Sequence, residues 1–130
     1  MGKQLKIAAP EVKIQESVKV VFGFSELRQC SYINATNDGK FFIRFIERLK
    51  KLCTLTWNQV YTSSRHSFGT ETIMKENLNS STQQLCPSGV DKLLILRATG
   101  DNHSFLGYRS DDVFQILFIE YRFGDIYQHY

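Results

Sequence analysis

DKLLILRATGDNHSFLGYRSDDVFQILFIEYRFGDIYQHY, Asp91 to Tyr130, decides the fold of this chain. It holds four short apolar-aromatic runs, KLLILRAT, SFLGYRS, VFQILFIEY and DIYQHY, with turn residues between them. Runs of that length and punctuation predict an antiparallel meander. Leu93 to Leu96, and Phe114 with Ile116 to Ile119, are apolar at neighbouring positions, so both faces of those strands need cover. Ser110-Asp111-Asp112 and Phe123-Gly124-Asp125 supply the turns.

Upstream, KFFIRFIERLKKLC (40–53) is the clearest helix, and Asp38 is placed to cap its start. Phe42, Phe45, Ile46, Leu49 and Cys53 recur at three-to-four spacing. That stripe is expected inward, with Arg44, Arg48 and Lys51 facing water. A second short helix, TWNQVY, follows with Thr54 or Thr56 as cap and Trp57 packed inward. Val18 to Phe24 alternates as a strand does, and Cys30 to Ala35 reads as a weaker strand returning through SELRQ. ETIMKENL fits either a helical turn or a short strand, inside a polar stretch from Thr62 to Gly89. Residues 1–16, interrupted by Pro10, are expected to be loosely held. The expected fold class is α+β in one domain spanning 1–130: an antiparallel sheet built from the C-terminal meander, with the N-terminal helices packed on one face.

A chain of 130 residues with 42% hydrophobic and 13% aromatic residues has enough apolar surface for one core, which excludes disorder. A net charge of +3 permits an anionic partner without demanding one. No run approaches a membrane span or a secretory signal, and the three cysteines, Cys30, Cys53 and Cys86, are odd in number and far apart. These features predict a reduced cytoplasmic protein with no membrane partner. There is no phosphate-binding glycine loop, no dinucleotide fingerprint, no HExxH and no GxSxG. The three histidines are scattered without a dense carboxylate cluster, so neither a metal nor a cofactor is expected.

What remains is basic and aromatic: Arg65 and His66 on the central loop, Arg97, Tyr108 and Arg109, Tyr121 and Arg122, and the terminal Tyr127, His129 and Tyr130. That inventory suits metal-free RNA cleavage. Attack by a ribose 2′-OH needs a base, an acid for the leaving 5′-oxygen and cations facing the phosphorane, while aromatic rings stack unpaired bases. The competing account is that Arg and Tyr line solvated strand faces and that the basic side of the 40–53 helix is merely hydrated.

Helices followed by a meander, ending in FIEYRFGDIYQHY, resemble the RelE/YoeB-type toxins, small bacterial ribonucleases of the RelE/ParE superfamily. YoeB-like members end in His-Tyr, as His129-Tyr130 does here. The resemblance implies a toxin of a toxin–antitoxin system that cleaves RNA, with RNA or the ribosome and a cognate antitoxin as partners. On this sequence it implies Glu71 or Glu120 as base, Arg97 and Arg109 as phosphate ligands, and His129 or Tyr130 as acid. Arg65, His66, Tyr108 and Arg122 would then hold RNA. The chain is longer than that pattern and places an extra run, Asp125 to Tyr130, after the last apolar strand. The alternative is a non-catalytic module that binds a protein partner or nucleic acid, through strand addition if aromatic residues line a sheet edge. An enzyme acting on a small molecule is a third reading.

Overall fold

The computed structural model of the chain describes residues 17–64, 69–99 and 103–129. Three of the C-terminal runs become strands: β3 (Lys92–Arg97), β4 (Ser104–Ser110) and β5 (Val113–Ile119), paired antiparallel in succession. β2 (Glu71–Met74) adds antiparallel to β3, and β1 (Val21–Gly23) adds to the far side of β5. The sheet order is β1-β5-β4-β3-β2. Because β1 runs parallel to β5, the sheet is mixed and not purely antiparallel as the meander alone predicts. The fold class is α+β, with the helices drawn mainly from the N-terminal half.

Two other expectations change. CSYINA is not a strand: Ser31–Ala35 forms a 3-10 turn, which suits a segment that buries only Ser31 and Ala35. Asp125 to His129, the described part of DIYQHY, does not continue the sheet either. A turn at Gly124, with φ of 89°, sends the chain back so that Tyr127 meets Leu78 in one isolated antiparallel bridge. Asn79 holds that return, its backbone N–H donating to Ile126 O at 2.9 Å and its side-chain amide to Gly124 O and Asp125 O.

The β4–β5 pairing carries a bulge. Leu106 faces Phe118 and Gly107 faces Ile116, so Leu117 is the extra residue. A Cβ at position 107 would collide with the Gln115 carbonyl oxygen, which explains glycine there.

Both faces of the sheet are covered. On one, Phe105, Phe114, Ile116 and Ile119 pack with residues of α1 (Gly39–Leu52) and α2 (Trp57–Thr62). On the other, Leu93, Ile95, Leu106, Leu117 and Phe118 pack with Leu78, Ile126 and Tyr127. Asp38 caps α1, accepting the Phe41 N–H at 3.1 Å, and its other oxygen accepts the Tyr121 hydroxyl at 2.8 Å. The hydrogen bond from Tyr121 is the main reason the Asp38 carboxyl lies below its ordinary range. Thr56 closes a reciprocal capping box with Gln59 at the start of α2. No helix among the described residues is long and apolar enough to cross a membrane.

α1 is rotated from the expected setting. Phe41, Phe45 and Leu52 are buried, Phe42 and Leu49 are half-buried, and Ile46 is 63% exposed. The helix has more apolar residues than one face can hold, so spacing alone does not choose the stripe. Seating two phenylalanines on aromatics at and just beyond the sheet settles it: Phe41 lies edge-on to Tyr121 at 4.9 Å and Phe45 to Phe105 at 5.3 Å. Arg48 follows the rotation and is half-buried, not solvated. We predict that Leu52→Ala costs about 2–5 kcal/mol, whereas Ile46→Ala costs less than about 0.5 kcal/mol. Urea titrations of the two variants test this, and comparable losses would refute the rotation.

Candidate functional site

The last residue of β3 is Arg97, directly across from Ser104, the first residue of β4. Side chains alternate along a strand, so Arg97 shares its face with Leu93 and Ile95, away from α1. One of its guanidinium nitrogens donates to Glu71 Oε2 at 2.7 Å, the other to Ser104 Oγ at 3.2 Å. Arg97 is 8% exposed, and Glu71 opens to solvent at the start of edge strand β2. A guanidinium this buried needs such a partner, because an isolated charge away from water is costly.

The Ser104 hydroxyl also lies 3.1 Å from the Tyr127 hydroxyl. Burial raises the Tyr127 pKa, and the nearby Glu120 charge adds to the rise against the lowering effect of the Ser104 hydrogen bond. Tyr127 therefore keeps its proton at neutral pH. The Ser104 N–H donates to Glu120 Oε1 at 3.1 Å. Glu120 is completely buried, and its second oxygen accepts the Gly124 N–H at 3.0 Å and lies 2.8 Å from His129 Nε2. An ionised carboxylate oxygen only accepts, so Nε2 is the ring nitrogen that donates here. The His129 ring is stacked on Phe123 at 3.8 Å and on Tyr127 at 4.2 Å, which fixes its plane.

A turn that follows β5 positions these groups. Ser31 Oγ accepts the N–H groups of Tyr121 and Arg122, at 2.8 and 3.3 Å, and donates to Asp125 Oδ2 at 2.7 Å. One serine of the 3-10 turn thus holds both ends of the loop that carries Phe123 and leads to His129.

Of the residues singled out in the sequence, Glu71, Arg97, Glu120 and His129 come together in this array. Arg109 does not. It leaves β4 on the opposite face, about 16 Å along the strand from Ser104 at roughly 3.3 Å per residue. There its guanidinium lies 4.4 Å from the centre of the Trp57 ring and donates to Asp111 O and the Tyr61 hydroxyl. Tyr108 is half-buried, packed against the core on the Leu106 side. Arg122 is exposed on the turn after β5. Arg65, His66 and Tyr130 lie outside the described residues.

Tyr127, named among the aromatic residues of the sequence, joins the site; Ser104 and Phe123 complete it, and the sequence had not marked those two. The signal for Ser104 was its place across the hairpin from Arg97. An open cleft of roughly 510 Å³ beside the array is lined by Glu71, Thr72, Asn77, Tyr127 and Gln128 among others. A search of protein-family models finds no match to the chain, and neither curated proteins nor solved structures yield one.

Proposed function

We propose that the protein is a metal-independent endoribonuclease, acting in the cytoplasm as the toxin half of a toxin–antitoxin pair on free or ribosome-bound RNA. The observation that carries this reading is the gathering of Glu71, Arg97, Ser104, Tyr127, Glu120 and His129 in one hydrogen-bonded array at one end of the sheet. Glu120 orients His129 and presents Nδ1 as a base, the division of labour used wherever a carboxylate steers an imidazole. In the reaction Nδ1 takes the proton of a ribose 2′-OH and the 2′-oxygen bonds to phosphorus. The bond from phosphorus to the 5′-oxygen breaks, and that oxygen takes a proton from water. The products are a 2′,3′-cyclic phosphate and a 5′-hydroxyl. The Arg97 charge favours the anionic phosphorane from behind the reacting groups.

Incubating purified protein with end-labelled RNA in EDTA tests the proposal, with the cyclic phosphate identified by mass. We predict cleavage, and a rate lowered by about 10²–10⁴-fold in His129→Ala. Intact RNA under those conditions, together with normal growth of cells expressing the protein alone, rejects it.

A second reading has its own observation. Arg97 and His129 both place hydrogen bonds on carboxylates of this chain, Glu71 and Glu120, an arrangement that also serves folding alone. A non-catalytic module built this way would retard RNA in a gel without cutting it, or retain a protein partner.

A further inference from the structure

α1 turns a charged flank toward the Arg97–Ser104 end of the β3–β4 hairpin. Arg44, Arg48, Lys50 and Lys51, with Glu47 the opposing charge, and Thr99 from the end of β3, line an open depression of roughly 470 Å³. Arg44 and Thr99 also line a second depression of roughly 390 Å³, shared with His103, Tyr121, Arg122, Phe41 and a second opposing charge, Asp38, whose carboxylate already accepts the Tyr121 hydroxyl. The two therefore join into one trough. With a rise of 1.5 Å per residue, Arg44 and Lys51 stand about 10 Å apart along the helix axis, room for more than one phosphate.

The trough leads to the array described above through aromatic rings. His103 lies 6.1 Å from Phe123, edge to face, and Phe123 is stacked on His129 at 3.8 Å. Phe123 is 52% exposed on the turn after β5, which leaves part of its ring open to a ligand. Burial lowers the Arg48 pKa, and the Arg97 charge lowers it further.

We propose that this trough is a binding path for single-stranded RNA, with phosphates on Arg44, Lys50 and Lys51 and a base stacked on Phe123 at the entrance to His129. A cationic groove that follows the backbone, combined with a ring for a base, is how sequence-tolerant single-strand binding is built. The path supplies substrate to the proposed nuclease site and rests on that reading for the identity of its polyanion. A duplex would meet the phosphates but could not offer an unstacked base to Phe123.

Fluorescence anisotropy of a fluorescein-labelled 12-nucleotide oligouridylate provides the test, run in EDTA with His129→Ala protein so that the probe stays whole. Arg44→Ala/Lys51→Ala should weaken binding about tenfold or more at low salt. It should also make the slope of log K against log salt shallower by about 1.4, since each single-strand phosphate contact contributes roughly 0.7. Phe123→Ala should weaken binding at least fivefold with little change in slope, because stacking carries no counterion release. Lys92→Ala, which removes an exposed charge at the far end of β3, should change neither.

Equal losses for Lys92→Ala and the double variant would overturn the path in favour of diffuse charge. Tighter binding of an acidic peptide than of the oligonucleotide would overturn it in favour of a protein surface. Arg44, Lys51 and Phe123 are exposed, so thermal melts of the variants should match the parent. Binding that follows this pattern without any cleavage by the unmutated protein keeps the path and removes the nuclease. Cleavage with binding indifferent to the double variant does the reverse.

Discussion

Trp57→Ala is expected to lower stability by about 3–5 kcal/mol, with a melting temperature lower by more than about 10 °C. Trp57 is wholly buried at the first turn of α2, and its indole N–H donates to Asp112 O at 3.0 Å across the β4–β5 turn. Its ring lies 6.3 Å from Phe114 and 5.6 Å from Tyr61, under the Arg109 guanidinium. Alanine would open a cavity between helix and sheet, remove the acceptor's partner at Asp112 and unseat Arg109. Trp57→Phe separates these effects. It keeps most of the ring and loses the N–H, so its cost should be nearer 1–3 kcal/mol, the range for a buried acceptor left without its donor. Urea unfolding with an unchanged m-value checks both. A loss below about 2 kcal/mol for alanine would mean that α2 is not anchored through this ring.

Glu120→Ala should cost about as much, roughly 3–5 kcal/mol, although the residue is polar. Its carboxylate is fully buried and gathers the Ser104 N–H, the Gly124 N–H and His129 Nε2. Deleting it strands all three and releases the His129 ring from one of its two constraints, the other being the stack between Phe123 and Tyr127. Glu120→Gln keeps the shape and one acceptor oxygen, so a loss of about 1–3 kcal/mol is expected. The pair of variants also reports on chemistry. If Glu120 only supports the turn, cleavage should fall in step with the folded fraction. If it orients His129, Glu120→Gln should remain folded at 25 °C and still cleave at least tenfold more slowly. A Glu120→Ala protein as stable as the parent would show that the carboxylate does not sit in this array.

The strands were legible because their apolar content leaves few alternatives: Leu93–Leu96 and Ile116–Ile119 are continuous, and continuous runs of that kind belong between two layers. Helix ends were legible for a similar reason, since Asp38 and Thr56 have the one side-chain geometry that satisfies the first turn. The rotation of α1 was not, because Phe41 and Phe42, and Phe45 and Ile46, offer adjacent apolar stripes and only the partner surface selects between them. The parallel strand β1 was equally hidden. Val18–Phe24 announces a strand, but nothing local says which edge it joins or in which direction. At the site, Arg97, Glu71, Glu120 and His129 were named as candidates, while their association depends on pairings distant in sequence: Glu71 is 26 residues from Arg97, and Ser104 is 23 from Tyr127. Arg109 illustrates the limit. Its residue type suited a phosphate ligand, yet the parity of β4 turns it to the opposite face from Arg97.

The extra residue at Leu117 governs more than the local twist. Before it, Phe114 and Ile116 point to the helices; after it the alternation is inverted, so that Ile119 points there and Glu120 points to Ser104 and His129. Without the inversion Glu120 would fall on the same side as Phe114 and Ile116, a carboxylate aimed at phenylalanines. The length of β5 thus matters to the site as much as its composition. Most substitutions at Leu117 leave the count intact, whereas deletion of that single residue would swap the inward and outward sides of everything downstream, as far as the strand extends. Insertions and deletions here are therefore far more consequential than point changes, and a lineage could gain or lose the Glu120–His129 pair in one step of strand length without altering either residue.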